Sequence, residues 1–192
     1  MNIVPHLKVL TMVTDKVFVK GNMFQMNDKD IAKKCESLAN ICEMHCELHV
    51  AKTYLKYSLT INLEKLGPEH VNVATSYKNL ASIQLQLGDF EQANEYQQHA
   101  VEIQLNKLGP EHVDVGTSYF NLASIYLHLG DFQQANEYQQ RALEIQLDKL
   151  GPEHVDVAKS YHNFASIYHA LGDLEQGNEY QPCAAMLLEK LL

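Results

Sequence analysis

The hexapeptide LGPEHV stands at Leu66 and returns letter for letter at Leu108 and Leu150, which spaces Gly67, Gly109 and Gly151 by 42 residues. A period of that size marks an array of supersecondary units, each burying its apolar face on the next. Composition allows it: 46% of the 192 residues are hydrophobic and 20% are charged, enough to form a core and too apolar for a disordered tail.

The copies beginning at Val73, Val115 and Val157 align without gaps. In the middle one, Val115, Tyr119, Leu122, Ala123, Tyr126 and Leu129 form the stripe of an amphipathic helix, designated helix A. Gly130 is placed to stop it in a left-handed conformation, and Asp131 with Gln134 reads as the capping box of a following helix B. Helix B carries Phe132, Ala135, Tyr138, Ala142 and Ile145 on its apolar face, and the same punctuation recurs at Gly88/Asp89 and Gly172/Asp173. LGPEHV then separates units: its Gly ends helix B, its Pro cannot continue it, and Asn72, Asp114 or Asp156 is expected to cap the next helix A. His70, His112 and His154 fall one repeat apart in separate linkers, which predicts a structural or surface role for them.

A worn fourth copy lies upstream, where the stretch from Ser37 aligns with that from Asn79, Cys46 replaces the turn glycine and Glu47 the capping Asp. Residues 1–30 read as a degenerate N-terminal segment. Val9, Met12, Val13, Val17 and Val19 match helix B positions, so residues 6–23 read either as half of an older repeat or, through the β-branched KVFVKG, as a strand. The array is expected over 31–192, with repeats at about 31–72, 73–114, 115–156 and 157–192. In the last copy Gly177 replaces the helix B alanine and Pro182 sits inside helix B, which predicts a break or bend there and an apolar C-terminal edge (Ala185, Met186, Leu188, Leu191, Leu192) open to self-association.

The helix pair with Tyr119, Leu122, Ala123, Tyr126, Ala135 and Ala142 at these offsets resembles the tetratricopeptide repeat, and the 42-residue unit with its Leu-Gly-x-x-His linker is similar to the repeats of kinesin light chain and nephrocystin-type proteins. The resemblance implies an all-α, right-handed superhelical solenoid that binds extended peptides on a concave surface lined by the helices A. Cys35 and Cys42 stand at the two aromatic positions of the first repeat, a departure from the pattern, and no long heptad coiled coil precedes the repeats in this sequence.

On such a scaffold the helix A face opposite the packing stripe becomes the candidate site. Asn79, Asn121 and Asn163 form a ladder on it, and an amide both donates to and accepts from a peptide backbone. The neighbouring position varies as Lys78, Phe120 and His162, suited to choosing side chains, while Ser82, Ser124 and Ser166 recur one turn on and Lys159 adds a cation. Recent duplication accounts equally well for identical Asn residues, since QANEYQQ is itself identical at Gln92 and Gln134. A clamp for a C-terminal carboxylate is poorly provided for: Lys33 and Asn40 come from the worn repeat, Lys159 lies far from them, and no Arg falls on the face.

Other classes fit less well. The net charge of −9 and the lack of a Lys/Arg cluster speak against nucleic acid. No apolar run reaches membrane-spanning length, and Lys8 interrupts the apolar core that a secretory leader needs, so a cytoplasmic protein with reduced thiols is expected. Cys42, Cys46, His45 and His49 match no strong zinc spacing and read as a core-cysteine cluster, with no metal and no cofactor implied. No phosphate loop or nucleophile–base pairing emerges. The reading is a non-enzymatic adaptor for a protein or peptide partner, with a self-assembly or sensor module of a larger signalling protein as the alternative.

Overall fold

The computed structural model describes residues 28–190, and the expectations for the segment before it, and for Leu191 and Leu192, lie outside the described residues. Eight helices follow one another among the described residues: α1 (Asp28–Met44), α2 (Leu48–Leu66), α3 (Val71–Leu87), α4 (Phe90–Leu108), α5 (Val113–Leu129), α6 (Phe132–Leu150), α7 (Val155–Leu171) and α8 (Leu174–Lys190). Each odd helix packs against the even helix that follows it, and each even helix packs against the next odd one. The result is an all-α solenoid of helix pairs. α5 also touches α7 directly, which sets the odd helices along the inner side of the array.

Local chemistry fixes both kinds of junction. Within a pair, Gly88, Gly130 and Gly172 take left-handed conformations at φ 78°, 80° and 83°. The N–H of Gly88 reaches the carbonyl of Leu85 at 3.1 Å and that of Asp89 reaches Gln84 at 3.0 Å, a Schellman closure that satisfies the last carbonyls of α3. Asp89, Asp131 and Asp173 then accept the backbone N–H of Gln92, Gln134 and Gln176, so one residue closes the first helix and opens the second. In the first pair Cys46 must adopt φ 60° in place of the glycine, and Glu47 makes no side-chain cap bond. A side chain in that region costs roughly 1–2 kcal/mol.

Between pairs the caps differ from expectation. The N-caps of α3, α5 and α7 are His70, His112 and His154, not Asn72, Asp114 and Asp156. Each imidazole Nδ1 accepts the backbone N–H of the residue two ahead, at 3.1, 3.1 and 3.2 Å. The proline opens a turn closed by the His N–H on the linker glycine carbonyl at 3.3 Å, and the His itself is extended, which carries the imidazole to the open N–H. Asp114 and Asp156 fall instead in the first turn, where their charge complements the helix dipole.

The core is a chain of small clusters threaded along the array. Cys35, Ala39, Ala51, Tyr54, Leu55, Leu80 and Ile83 join the first two pairs, and Val101, Val115, Tyr119, Leu122, Ala142 and Ile145 join the second to the third. The small residues at the helix crossings are fully buried, Ala93, Ala100, Ala135 and Ala142 among them. Aromatic rings fill the later pairs: Tyr126 and Tyr138 stack at 5.4 Å, and Tyr168 and Tyr180 at 5.6 Å. Burial pushes the Tyr138 phenol up, and Tyr126 beside it adds to the effect.

The helix-to-helix seams also bury polar pairs. Ser118 donates to Gln104 at 2.7 Å, Ser160 donates to Gln146 at 2.6 Å, and Asn62 donates to Ser76 at 3.0 Å. All six side chains are buried, and each pair bridges an even helix to the next odd one. A buried polar group without a partner is costly, so these pairs fix the register of one repeat on another.

α8 runs from Leu174 to Lys190 with Pro182 inside it, so the expected break does not occur. Its fit to α7 departs from the inner pairs at Gly177, where an added Cβ would lie 2.2 Å from the His169 ring. His169 holds the position of Leu127, and the glycine makes room for the imidazole.

Candidate functional site

The inner faces of α3, α5 and α7 carry the residues singled out from sequence. Asn79, Asn121 and Asn163 are all half-buried there, one helix pair apart. Asn163 turns one amide hydrogen inward to Gln139 Oε1 at 3.2 Å, tying α7 to α6. Ser82 is exposed, Ser124 is half-buried, and Ser166 donates to the carbonyl of His162 on its own helix at 3.2 Å. His162 and Lys159 are exposed, whereas Lys78 and Phe120 are half-buried. On the first pair, Glu43 bonds to Gln86 of α3 across the same face.

The structure gathers three of these residues around one hollow. Thr117, Phe120 and Asn121 of α5, Gln146 of α6, and Asp156 and Lys159 of α7 enclose about 180 Å³. Lys159 Nζ lies 2.9 Å from Asp156 Oδ1, three residues back on its own helix, so its charge is matched within α7. Lys78, Asn79, Asn163, His162 and the three serines lie elsewhere along the inner faces and do not line this cavity.

Lys78 has a different environment from the other lysines of this face. Burial pushes its ammonium below the ordinary lysine range, and the Asp114 carboxylate at the start of α5 works against that shift. One repeat's varied side chain is thus within electrostatic range of the next repeat's first-turn aspartate. Phe120 and Asp156 stand in the same relation one repeat on, without a cation on the α5 side.

Charge is segregated between the two sides of the array. α3, α5 and α7 carry Lys78, Asp114, Asp156 and Lys159 as their only Lys, Arg, Asp or Glu residues. The outer helices α4, α6 and α8 carry nine acidic residues against four basic ones, and the linkers and turns add Glu69, Asp89, Glu111, Asp131, Glu153 and Asp173. The inner face is therefore near neutral within an acidic molecule.

The cysteines separate. Cys35 is buried, Cys42 is half-buried against the first core cluster, and burial pushes both thiols up, with Glu36 and Glu47 adding to the shift. Cys46 is exposed at its turn and so departs from a core assignment, and His45 and His49 are exposed too. No three His, Cys, Asp or Glu side chains come together as a metal site among the described residues.

Two features were missed in sequence. The cap histidines and the buried Ser/Gln seam both recur at the 42-residue period, and that recurrence was the available signal. It was silent on role, because cap geometry and the pairing of side chains 14 residues apart depend on how the linker bends.

Similarity to known proteins follows the same architecture. The tetratricopeptide repeat family profile matches residues 33–106, 95–148 and 114–176, well over half of the chain. No curated protein matches the chain in sequence. Among solved structures, BtubC (BKLC) from P. vanneervenii superposes with a TM-score of 0.78 at 23% identity, over 98% of this chain and 80% of that one. A Podosopora anserina putative kinesin light chain with nearly identical TPR-like repeats gives 0.70 at 23% identity, over 96% and 85%. The apo form of RapI gives 0.80 at 13% identity, over 98% and 67%. At these identities the likeness is one of fold. The family profile, the 42-residue helix pairs and their glycine-closed turns together establish that the chain belongs to the tetratricopeptide repeat family.

Proposed function

We propose that this chain is a non-enzymatic adaptor that holds an extended segment of a partner protein against the inner faces of α1, α3, α5 and α7. Tetratricopeptide repeats are protein-interaction scaffolds, and this array supplies one. The observation that carries the finer reading is the half-buried inner surface: Asn121 lines a hollow with Phe120, Asp156 and Lys159, and Asn79 repeats its amide one pair earlier. A half-buried amide keeps donor and acceptor capacity for a peptide main chain, which favours one extended strand of any sequence. Selectivity then falls to Lys78, Phe120 and His162, which differ while their neighbours repeat. Asn163 contributes less, since part of its amide is committed to Gln139.

Isothermal titration against an extended-peptide library tests the reading. Asn121→Ala is expected to weaken every hit, and exchanging Phe120 with Lys78 to change which peptides bind. Hits indifferent to both substitutions would remove the groove from consideration.

Self-assembly is the second reading, favoured by exposed apolar side chains on α8. Leu174 is 62% exposed and Met186 57% exposed. Light scattering across a concentration series separates the two, since a strict monomer at all concentrations eliminates self-assembly.

A further inference from the structure

Resting on the groove reading, we infer that the hollow between α5 and α7 is a subsite for a cationic side chain, arginine or lysine, of the bound segment. The chain contains its own guide to that chemistry. At the preceding junction Lys78 of α3 lies half-buried, with the Asp114 carboxylate at the start of α5 near enough to act on its charge. The 42-residue period maps Lys78 onto Phe120 and Asp114 onto Asp156. At the later junction the aspartate is retained and the lysine is not, and a cavity of about 180 Å³, the scale of one side chain, lies between Phe120 and Asp156. A partner's cation would restore there what Lys78 supplies from within the chain one repeat earlier.

The lining suits such a guest. The Phe120 side chain offers an apolar wall for an aliphatic stem. Asn121 and the buried Gln146 add amide groups, and Gln146 Oε1 is already occupied by Ser160. Asp156 Oδ1 takes Lys159 at 2.9 Å. Asp156 Oδ2 lies 3.6 Å from Nδ1 of His154, whose lone pair is taken by the Asp156 N–H. A guanidinium or ammonium in the hollow would donate to the Asp156 carboxylate, a charge-assisted hydrogen bond. Lys159 is the competitor: it is more than half exposed, so its head can move into water as a guest enters. The net charge of −9 draws basic segments toward the molecule from a distance. Occupation by an acidic side chain, seated on Lys159 instead, is the contrary outcome.

The test is a titration of the full-length ¹⁵N-labelled chain, followed by NMR, with Nα-acetyl-arginine amide, Nα-acetyl-lysine amide and Nα-acetyl-glutamate amide as probes. The basic probes are expected to shift Asn121, Gln146 and Lys159 saturably, and the glutamate probe to leave them unmoved. Phe120→Lys supplies the internal cation and is expected to abolish the response. Asp156→Asn should weaken it about tenfold, and Lys159→Ala should strengthen it several-fold. Circular dichroism on each variant reads the fold independently. A response to glutamate, or an arginine response untouched by Phe120→Lys and Asp156→Asn, overturns the subsite. Extended peptides that bind along α5 with no preference for a basic residue also overturn it, and leave the groove reading standing. A chain that binds no peptide on its inner face loses both.

Discussion

His112 shows how much one side chain can settle. Its Nδ1 lone pair takes the N–H of Asp114 at 3.1 Å, so the imidazole acts as the acceptor that Ser or Asp usually provides. His112→Ala should cost about 1 kcal/mol in urea melts, while His112→Asn, which keeps an acceptor at the cap, should restore most of it. Lys78 is the residue whose charge is least comfortable in the fold. Burial lowers its pKa in the folded state, so between that value and the ordinary lysine range the unfolded chain binds more protons than the folded one. Stability contributed at this site therefore rises with pH across that alkaline window. Lys78→Met is expected to raise stability near neutral pH, with the gain shrinking as pH climbs through the window. Thermal melts of both proteins at neutral and alkaline pH check the sign, since the other lysines and tyrosines are common to both.

Among the helices, the seams matter as much as the apolar faces. Ser118 and Gln104 are both buried and bond at 2.7 Å across α4 and α5. Ser118→Ala leaves the Gln104 carbonyl oxygen in the seam without its donor, a loss of about 1–3 kcal/mol by chemical denaturation. A change at the exposed Thr75, whose hydroxyl bonds only back to Val71, should stay within about 0.5 kcal/mol. α8 keeps its helical path through Pro182, but proline brings no N–H for the preceding turn and crowds it. Pro182→Gln, the residue found at Gln98 and Gln140, should stabilise α8 by up to about 3 kcal/mol. It should slow amide exchange over residues 173–190 and leave 115–149 nearly unchanged. Equal protection in both segments before the substitution would contradict a weak last helix.

At the scale of the whole array, stability is a sum over units and their nearest-neighbour seams. The first pair has one packed neighbour among the described residues and lacks the turn glycine, whereas the third pair, α5 with α6, is packed on both sides. Ile41 is 51% exposed in the first pair, while its counterpart Ile83 is 1% exposed in the second. Deleting residues 28–70 should therefore cost less in denaturant melts than deleting 113–154. Equal losses, or a larger one from the first pair, would mean that the array does not behave as a chain of near-neighbour units.

The sequence by itself determined the features that act within a few residues. The period, the helix pairs, the left-handed glycines at 88, 130 and 172 and the Asp caps were legible because each depends on backbone conformation and on contacts three or four positions away; the Gln half of the expected capping box is not made, since the N–H of Asp131 goes to the Tyr126 carbonyl. The worn turn was legible too, and Cys46 takes the strained conformation its alignment with Gly88 requires. Tertiary structure alone decided the rest. That His, and not Asn72, Asp114 or Asp156, caps α3, α5 and α7 follows from how the linker bends after its proline. That Ser118 meets Gln104, that Asn163 turns toward Gln139, and that Phe120 and Asp156 enclose a cavity follow from the placement of helices whose side chains lie 14 to 36 residues apart. A repeat period names the positions that must be alike in every unit, but which side chains meet across a seam is set by the angle and offset at which one helix pair lies on the next.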